Sequence, residues 1–306
     1  MVSYCPGLNT ITSSPRGRRL SVIVVSLNEG DHLRRTVENL QTSMPADAEI
    51  VVVDDGSTDG STDFLRLREP TAVRLVESGQ ANLSSARNLG AARAAGDVLV
   101  FADAHVEASG GWWRPMIDLL ANPEIGAVGP AVSIMGRPEC AGFGQFLTGP
   151  DLGIDWLDRQ QEDPYPVCAV GGCFLAMRAE TFRALGGFDE GMIRWGSEDV
   201  EMCIRLWLSG YQVWVAPAVD VAHLFRQEFP YDVDWTHVIH NKLRTAFLHF
   251  HSSRIARVVE ALRESEGFSP ALVRLVESDL AARRARLAAT RTRDDDWLFA
   301  RFGFDW

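Results

Sequence analysis

Through the first third of the chain, short apolar runs alternate with segments of helical pattern, and this alternation restricts the fold more than any other feature. The runs are Leu20 to Leu27, Glu49 to Val53, Ala72 to Val76 and Asp97 to Phe101. Helical patterns lie between them near 31–42, 59–68 and 83–95. A βαβαβαβ order predicts an α/β fold with a doubly wound, mostly parallel sheet and right-handed crossovers. Runs that are apolar on successive residues, such as Val98-Leu99-Val100-Phe101, predict strands covered on both faces. In open sheets of this kind, ligands bind outside the carboxyl ends of the strands.

What stands at those strand ends then becomes the functional question. The fourth run ends in Asp103-Ala104-His105, a carboxylate and an imidazole one residue apart, suited to a Mn-like or Mg-like ion at the sheet edge. The first ends in Ser26-Leu27-Asn28-Glu29 and the second in Asp54-Asp55-Gly56-Ser57-Thr58-Asp59. Acidic strand ends can hydrogen-bond a nucleoside, while Ser57 and Asp59 could equally cap the next helix. No Gly-x-Gly-x-x-Gly follows the first strand and no Gly-Lys-Ser/Thr occurs, so the common dinucleotide and P-loop readings lose support. A net charge of -11 argues against nonspecific binding to nucleic acid or to an anionic membrane, so an anionic substrate would need local cationic groups or a metal.

Three regions are expected along the chain: a flexible leader over 1–19, a main domain over 20–250 and a helical extension over 251–306. The leader has no apolar signal-peptide core and no run of apolar residues is long enough to span a bilayer, which suggests a cytoplasmic protein. The part from Gly110 to Asp163 is rich in Gly, Pro and Trp and reads as loops of a binding surface. Order returns with a short helix near 179–185 and a helix over 199–209, where Val200, Cys203, Ile204, Trp207 and Leu208 form one apolar stripe. Ser197 is the expected N-cap of that helix and Gly210 its stop. In the extension, Val258, Val259, Leu262, Leu272, Leu275, Val276 and Leu280 fall at helical spacing. That extension could be a helical hairpin, a homo-oligomer surface, an acceptor platform or a tail packed on the main domain. The five cysteines are odd in number and form no Cys-x-x-Cys pair, so they read as reduced, mostly buried thiols.

Three further strings give the chain a family resemblance: Gly171-Gly172-Cys173-Phe174-Leu175-Ala176-Met177-Arg178, Leu185-Gly186-Gly187-Phe188-Asp189-Glu190, and Trp195-Gly196-Ser197-Glu198-Asp199. Together with Ala86-Arg87-Asn88-Leu89-Gly90, the Asp-x-His and His223-Leu224-Phe225-Arg226, they resemble family 2 glycosyltransferases of GT-A fold. Within that family the resemblance is to polypeptide N-acetylgalactosaminyltransferases and chondroitin-polymerase-like enzymes, and it covers about 20–250. It implies a UDP-sugar donor and Mn2+ (or Mg2+), held by Asp103, His105 and His223. It further implies that Asp55 binds the uracil and that Arg87 lies near the nucleotide, with Gly171 and Gly172 at the donor site and Asp54 structural. Trp195 is similar to a gating tryptophan at the sugar site. Arg226 and Tyr231 resemble diphosphate-binding residues on a mobile loop. Asp199 matches the base of inverting members, and Glu198 beside it would hydrogen-bond the acceptor or donor sugar. The polypeptide enzymes, which retain configuration, carry Asn where this chain has Asp199, so inversion is expected and retention is the alternative.

The expected activity is thus metal-dependent transfer of a sugar to a hydroxyl, or another nucleophile, of a peptide, glycan or small natural product. A noncatalytic nucleotide-sugar or glycan-binding protein would have no need of a base such as Asp199. A nucleotidyltransferase would need a Gly-rich basic loop after the first strand, and the chain has none there.

Overall fold

The computed structural model describes residues 19–66, 72–226 and 233–306. Tyr231 and all but the last residue of the expected leader, Cys5 included, lie outside the described residues.

The first half alternates as its hydrophobic pattern requires: β1 (Leu20–Ser26), α1 (Asp31–Ser43), β2 (Glu49–Asp54), α2 (Asp63–Arg66), β3 (Val73–Glu77), α3 (Leu83–Arg93) and β4 (Val98–Asp103). β5 (Val106–Ala108) and α4 (Trp113–Leu119) follow, then β6 (Ile125–Ile134), β7 (Arg137–Gly142), β8 (Gln145–Leu147), β9 (Ile154–Trp156) and β10 (Tyr165–Pro166). β11 (Phe174–Arg178), α5 (Ala179–Ala184), α6 (Glu198–Leu208) and β12 (Gln212–His223) complete the sheet region. Five helices end the chain: α7 (Trp235–His249), α8 (Ser252–Leu262), α9 (Phe268–Glu277), α10 (Leu280–Thr290) and α11 (Asp295–Phe302).

The main sheet runs β10-β12-β6-β11-β4-β1-β2-β3. The β4-β1-β2-β3 half is parallel, as is the β6·β12 pair, whereas β11 runs antiparallel to both of its neighbours. Helices cover both faces, and apolar side chains on the two sides form separate clusters, one around Ile23, Phe101 and Met177 and one around Val22, Val100 and Phe174. α1 places Leu33, Val37 and Leu40 on the second, an i, i+4, i+7 stripe. Thr36 fastens α1 to β5 by donating Oγ1 to the carbonyl of Val106 at 2.9 Å and accepting its amide at 3.0 Å.

The region from Gly110 to Asp163 is more ordered than its composition suggests. It contributes β6, ten residues long and nearly all buried, an interior strand between β12 and β11. The apolar stripe of α6 is buried as expected. Ser197 occupies its N-cap but makes no capping hydrogen bond, because its backbone is left-handed at φ 66°. Ser57 and Asp59 do not cap a helix either: Ser57 Oγ accepts the Asn28 amide at 3.0 Å and Asp59 the Gly30 amide at 2.9 Å, joining the loops after β1 and β2.

The C-terminal helices pack on the main body through the first cluster. Trp297 and Phe302 contact Trp207 at ring distances of 5.9 and 5.2 Å, and Phe299 meets Phe250 at 5.4 Å. Val258, Leu262 and Leu275 are buried in this contact, but Val276 faces solvent. Cys168, Cys173 and Cys203 are buried free thiols and Cys140 is an exposed one. Burial pushes Cys168 up to about 12, which makes it unreactive near neutral pH. Among the described residues no helix is long and apolar enough to cross a membrane.

Candidate active site

Strand pairing assembles the site. β4 ends at Asp103 and turns at once into β5, which pairs antiparallel with β12 so that His223 lies opposite Val106. This register brings His223 beside Asp103 and His105 although 120 residues separate His223 from Asp103. One potential ligand atom from each of the three falls within 4.8 Å of the others. His223 Nε2 lies 3.3 Å from Asp103 Oδ2, and the two imidazole rings are 4.9 Å apart. Burial alone would raise the Asp103 carboxyl. The hydrogen bond from His223 and the charges of Arg87 and His105 outweigh it and hold the group well below the usual carboxylate range.

The donor set fits a divalent cation. It offers one anionic oxygen and two imidazole nitrogens, with His105 Nδ1 already turned to Glu29 Oε2 at 3.1 Å and Nε2 left for a ligand. His223 Nδ1 is buried without a hydrogen-bond partner.

Arg87 ties this cluster to the carboxylates of α6. Its guanidinium is 2% exposed; Nη1 donates to Glu198 Oε1 at 2.9 Å, and Nη2 to Asp103 Oδ1 at 3.3 Å and to the Gly172 carbonyl at 2.8 Å. Gly172 leaves room for that contact: a Cβ there would stand 3.0 Å from both Arg87 Nη1 and Asp199 Cβ. The second Glu198 oxygen accepts the Gly196 amide at 3.0 Å, so each oxygen of Glu198 carries one hydrogen bond from the protein. Burial, then the neighbouring Asp199 charge, push Glu198 up to about 7 despite its Arg87 partner. Asp199 Oδ2 accepts the Gly172 amide at 2.7 Å and Oδ1 its own following amide, that of Val200, at 2.8 Å. A carboxylate has about four acceptor positions, so Asp199 retains capacity for a further proton donor.

Asp55, Arg87, Asp103, His105, Gly171, Gly172, Trp195, Glu198, Asp199, His223 and Arg226 all line one cavity of about 780 Å³, within the usual range for a ligand site. Asp55, whose carboxyl is raised by burial, accepts a hydrogen bond from Ser78 Oγ. Asp54 points into the protein, accepting from the Ser57 amide at 2.8 Å and Thr62 Oγ1 at 3.0 Å. Trp195 is 37% exposed at the cavity mouth. Among the described residues, five non-glycine residues have positive φ, and three of them, Leu152, Arg194 and Ser197, line this cavity. Left-handed backbone at such residues is costly and concentrates at functional sites.

One residue, Asn241, and the partners of another, Glu29, escaped the reading of the sequence. Asn241, on α7 and 1% exposed, holds the loop that carries Trp195: its amide nitrogen donates to the carbonyls of Ile193 and Gly196, both at 2.9 Å, and its oxygen accepts the Ile193 amide at 2.8 Å. Glu29 meets both His105 and Arg226. Neither contact has a local signal, since each spans a long stretch of chain.

Comparison with known proteins is consistent with this geometry. The sequence model described as glycosyl transferase family 2 matches residues 21–186, and that of the N-terminal domain of galactosyltransferase matches 159–228. The chain is 30% identical over 257 residues to polypeptide N-acetylgalactosaminyltransferase 11 of Xenopus tropicalis, covering 74% of this chain and 42% of that protein. It is 33% identical over 240 residues to polypeptide N-acetylgalactosaminyltransferase 6 of Mus musculus, covering 69% and 38%. The chain thus spans less than half the length of these relatives. A crystal structure of GalNAc-T7 with UDP, GalNAc and Mn2+ superposes with a TM-score of 0.78 at 22% identity, over 94% of this chain and 57% of that one. A mannosyltransferase from Pyrobaculum calidifontis, solved with GDP-Man and Mn2+, gives 0.55 at 20% identity, over 96% and 77%. These likenesses establish the GT-A fold.

Proposed function

The chain belongs to glycosyl transferase family 2, and from that premise we propose that it moves a sugar from a UDP-sugar to an acceptor hydroxyl, with a divalent cation at Asp103, His105 and His223. The observation that carries this reading is the meeting of that three-residue cluster with Asp199 in one cavity. A bound Mn2+ or Mg2+ would supply fixed positive charge for a departing nucleoside diphosphate. In this reading Asp55, just after β2, accepts from the uracil, and Arg87 keeps Asp103 and Glu198 in register beneath the donor. Asp199, with spare acceptor capacity, takes the proton of the attacking hydroxyl. The acceptor is a peptide, a glycan or a small natural product.

A base at this position favours inversion. The identity to polypeptide N-acetylgalactosaminyltransferases supports a second reading, retention with a peptide acceptor. Incubation with UDP-sugars, GDP-mannose and Mn2+, with and without candidate acceptors, tests the proposal. Release of UDP that EDTA abolishes and Mn2+ restores is the expected result; no nucleotide release from any donor would favour a binding protein instead.

Replacing His223 with Ala is expected to weaken Mn2+-dependent UDP binding by well over tenfold, since losing a direct ligand exceeds the ~10 to 100-fold effect of an outer partner. Unchanged UDP affinity would remove His223 from the metal site.

A further inference from the structure

Glu29 sits in the turn between β1 and α1, 7% exposed, yet its carboxylate reaches two residues of the site. Oε2 is 3.1 Å from His105 Nδ1, and Arg226 donates Nη1 to Oε1 at 3.2 Å and Nη2 to Oε2. The turn is braced on both sides of Glu29. Asn28 is left-handed at φ 55° and its Oδ1 accepts the Thr58 amide at 2.8 Å, while Gly30, at φ 54°, donates to Asp59 Oδ2 at 2.9 Å. Two strand-end loops are thereby locked together around one carboxylate. Asn tolerates the left-handed region because its short amide side chain can hydrogen-bond nearby backbone, as Asn28 does here to Thr58.

A histidine that donates Nδ1–H to a carboxylate keeps its Nε2 lone pair free and its ring fixed. We propose that Glu29 is the positioning residue of the metal site: it holds His105 in the tautomer and orientation that present Nε2 to the divalent cation, and Arg226 anchors Glu29 in place. This rests on the reading of Asp103, His105 and His223 as metal ligands. Glu29 lines the same cavity as His105 and His223, and the role proposed for it acts through His105.

The test titrates MnCl2 into the full chain at saturating UDP and reads free Mn2+ by its EPR signal, with circular dichroism confirming that each variant is folded. Glu29→Ala should bind Mn2+ about 10 to 100-fold more weakly. Glu29→Gln, whose amide oxygen still accepts from Nδ1–H, should recover most of that loss. A merely structural Glu29 would lower the melting temperature of the Ala variant but leave the Mn2+ affinity of its folded form unchanged, and that result would overturn the proposal. Equal losses in the two variants would assign the effect to charge instead of orientation and would also overturn it. Failure of the unmodified protein to bind Mn2+ is a separate outcome that refutes the metal site itself.

Discussion

Asp199→Asn should keep UDP and Mn2+ binding while lowering turnover about 10²-fold or more, the usual scale for loss of a general base. Asn retains one acceptor oxygen, sufficient for the Gly172 amide that Asp199 now accepts at 2.7 Å. It cannot take the proton of an attacking hydroxyl. Comparing the UDP affinity of the variant with its turnover separates the two roles: a base acts on kcat, whereas a structural prop would disturb both. Proton NMR of the first product from an α-linked UDP-sugar should show a β linkage. An α-linked product together with an active Asn variant would place the chain with retaining enzymes and remove Asp199 as the base.

Asp189→Ala should destabilise the fold by about 3 kcal/mol or more, because it breaks a buried ion pair by deleting one partner. Arg244 is fully buried; its Nε donates to Asp189 Oδ2 at 2.6 Å and its Nη2 to Oδ1 at 3.0 Å. The same guanidinium reaches Ser278 Oγ at 3.1 Å and Asp279 Oδ1 at 2.7 Å, so it joins the loop after α5 to the C-terminal helices. Asp279 is half exposed and offsets only part of the lost charge. Against the roughly 5 to 15 kcal/mol that stabilises a typical domain, this is a large share. Denaturant unfolding followed by fluorescence and circular dichroism measures it. A loss under about 1 kcal/mol would mean that Asp279 alone suffices for Arg244 and that this clamp contributes little.

The parts of the fold legible in the sequence are those whose signal is local. β1 to β4 are short apolar runs between helical segments, and Asp103 and His105 stand where one of those runs ends. β6 was hidden because its sequence, Ile125-Gly126-Ala127-Val128-Gly129-Pro130, carries residues that usually mark a loop. The structure explains them by close approach: a Cβ at Gly126 would come within 2.4 Å of Leu206, and one at Gly129 within 2.6 Å of Val170. β12 was obscured by its own irregularity, a register shift between Ala216 and Asp220 where Pro217 interrupts the ladder. The site divides in the same way. Asp103, His105, Glu198 and Asp199 are readable from short strings. The grip of Asn241 on the Trp195 loop, and that of Glu29 on His105, exist only after the sheet has brought distant segments together.

The most direct test of a metal-dependent nucleotide-sugar site is calorimetric titration of UDP into the protein, once with Mn2+ and once with EDTA. Saturable binding with Mn2+ that falls by at least tenfold in EDTA is the predicted result. Equal affinity under both conditions, or no UDP binding under either, would contradict it.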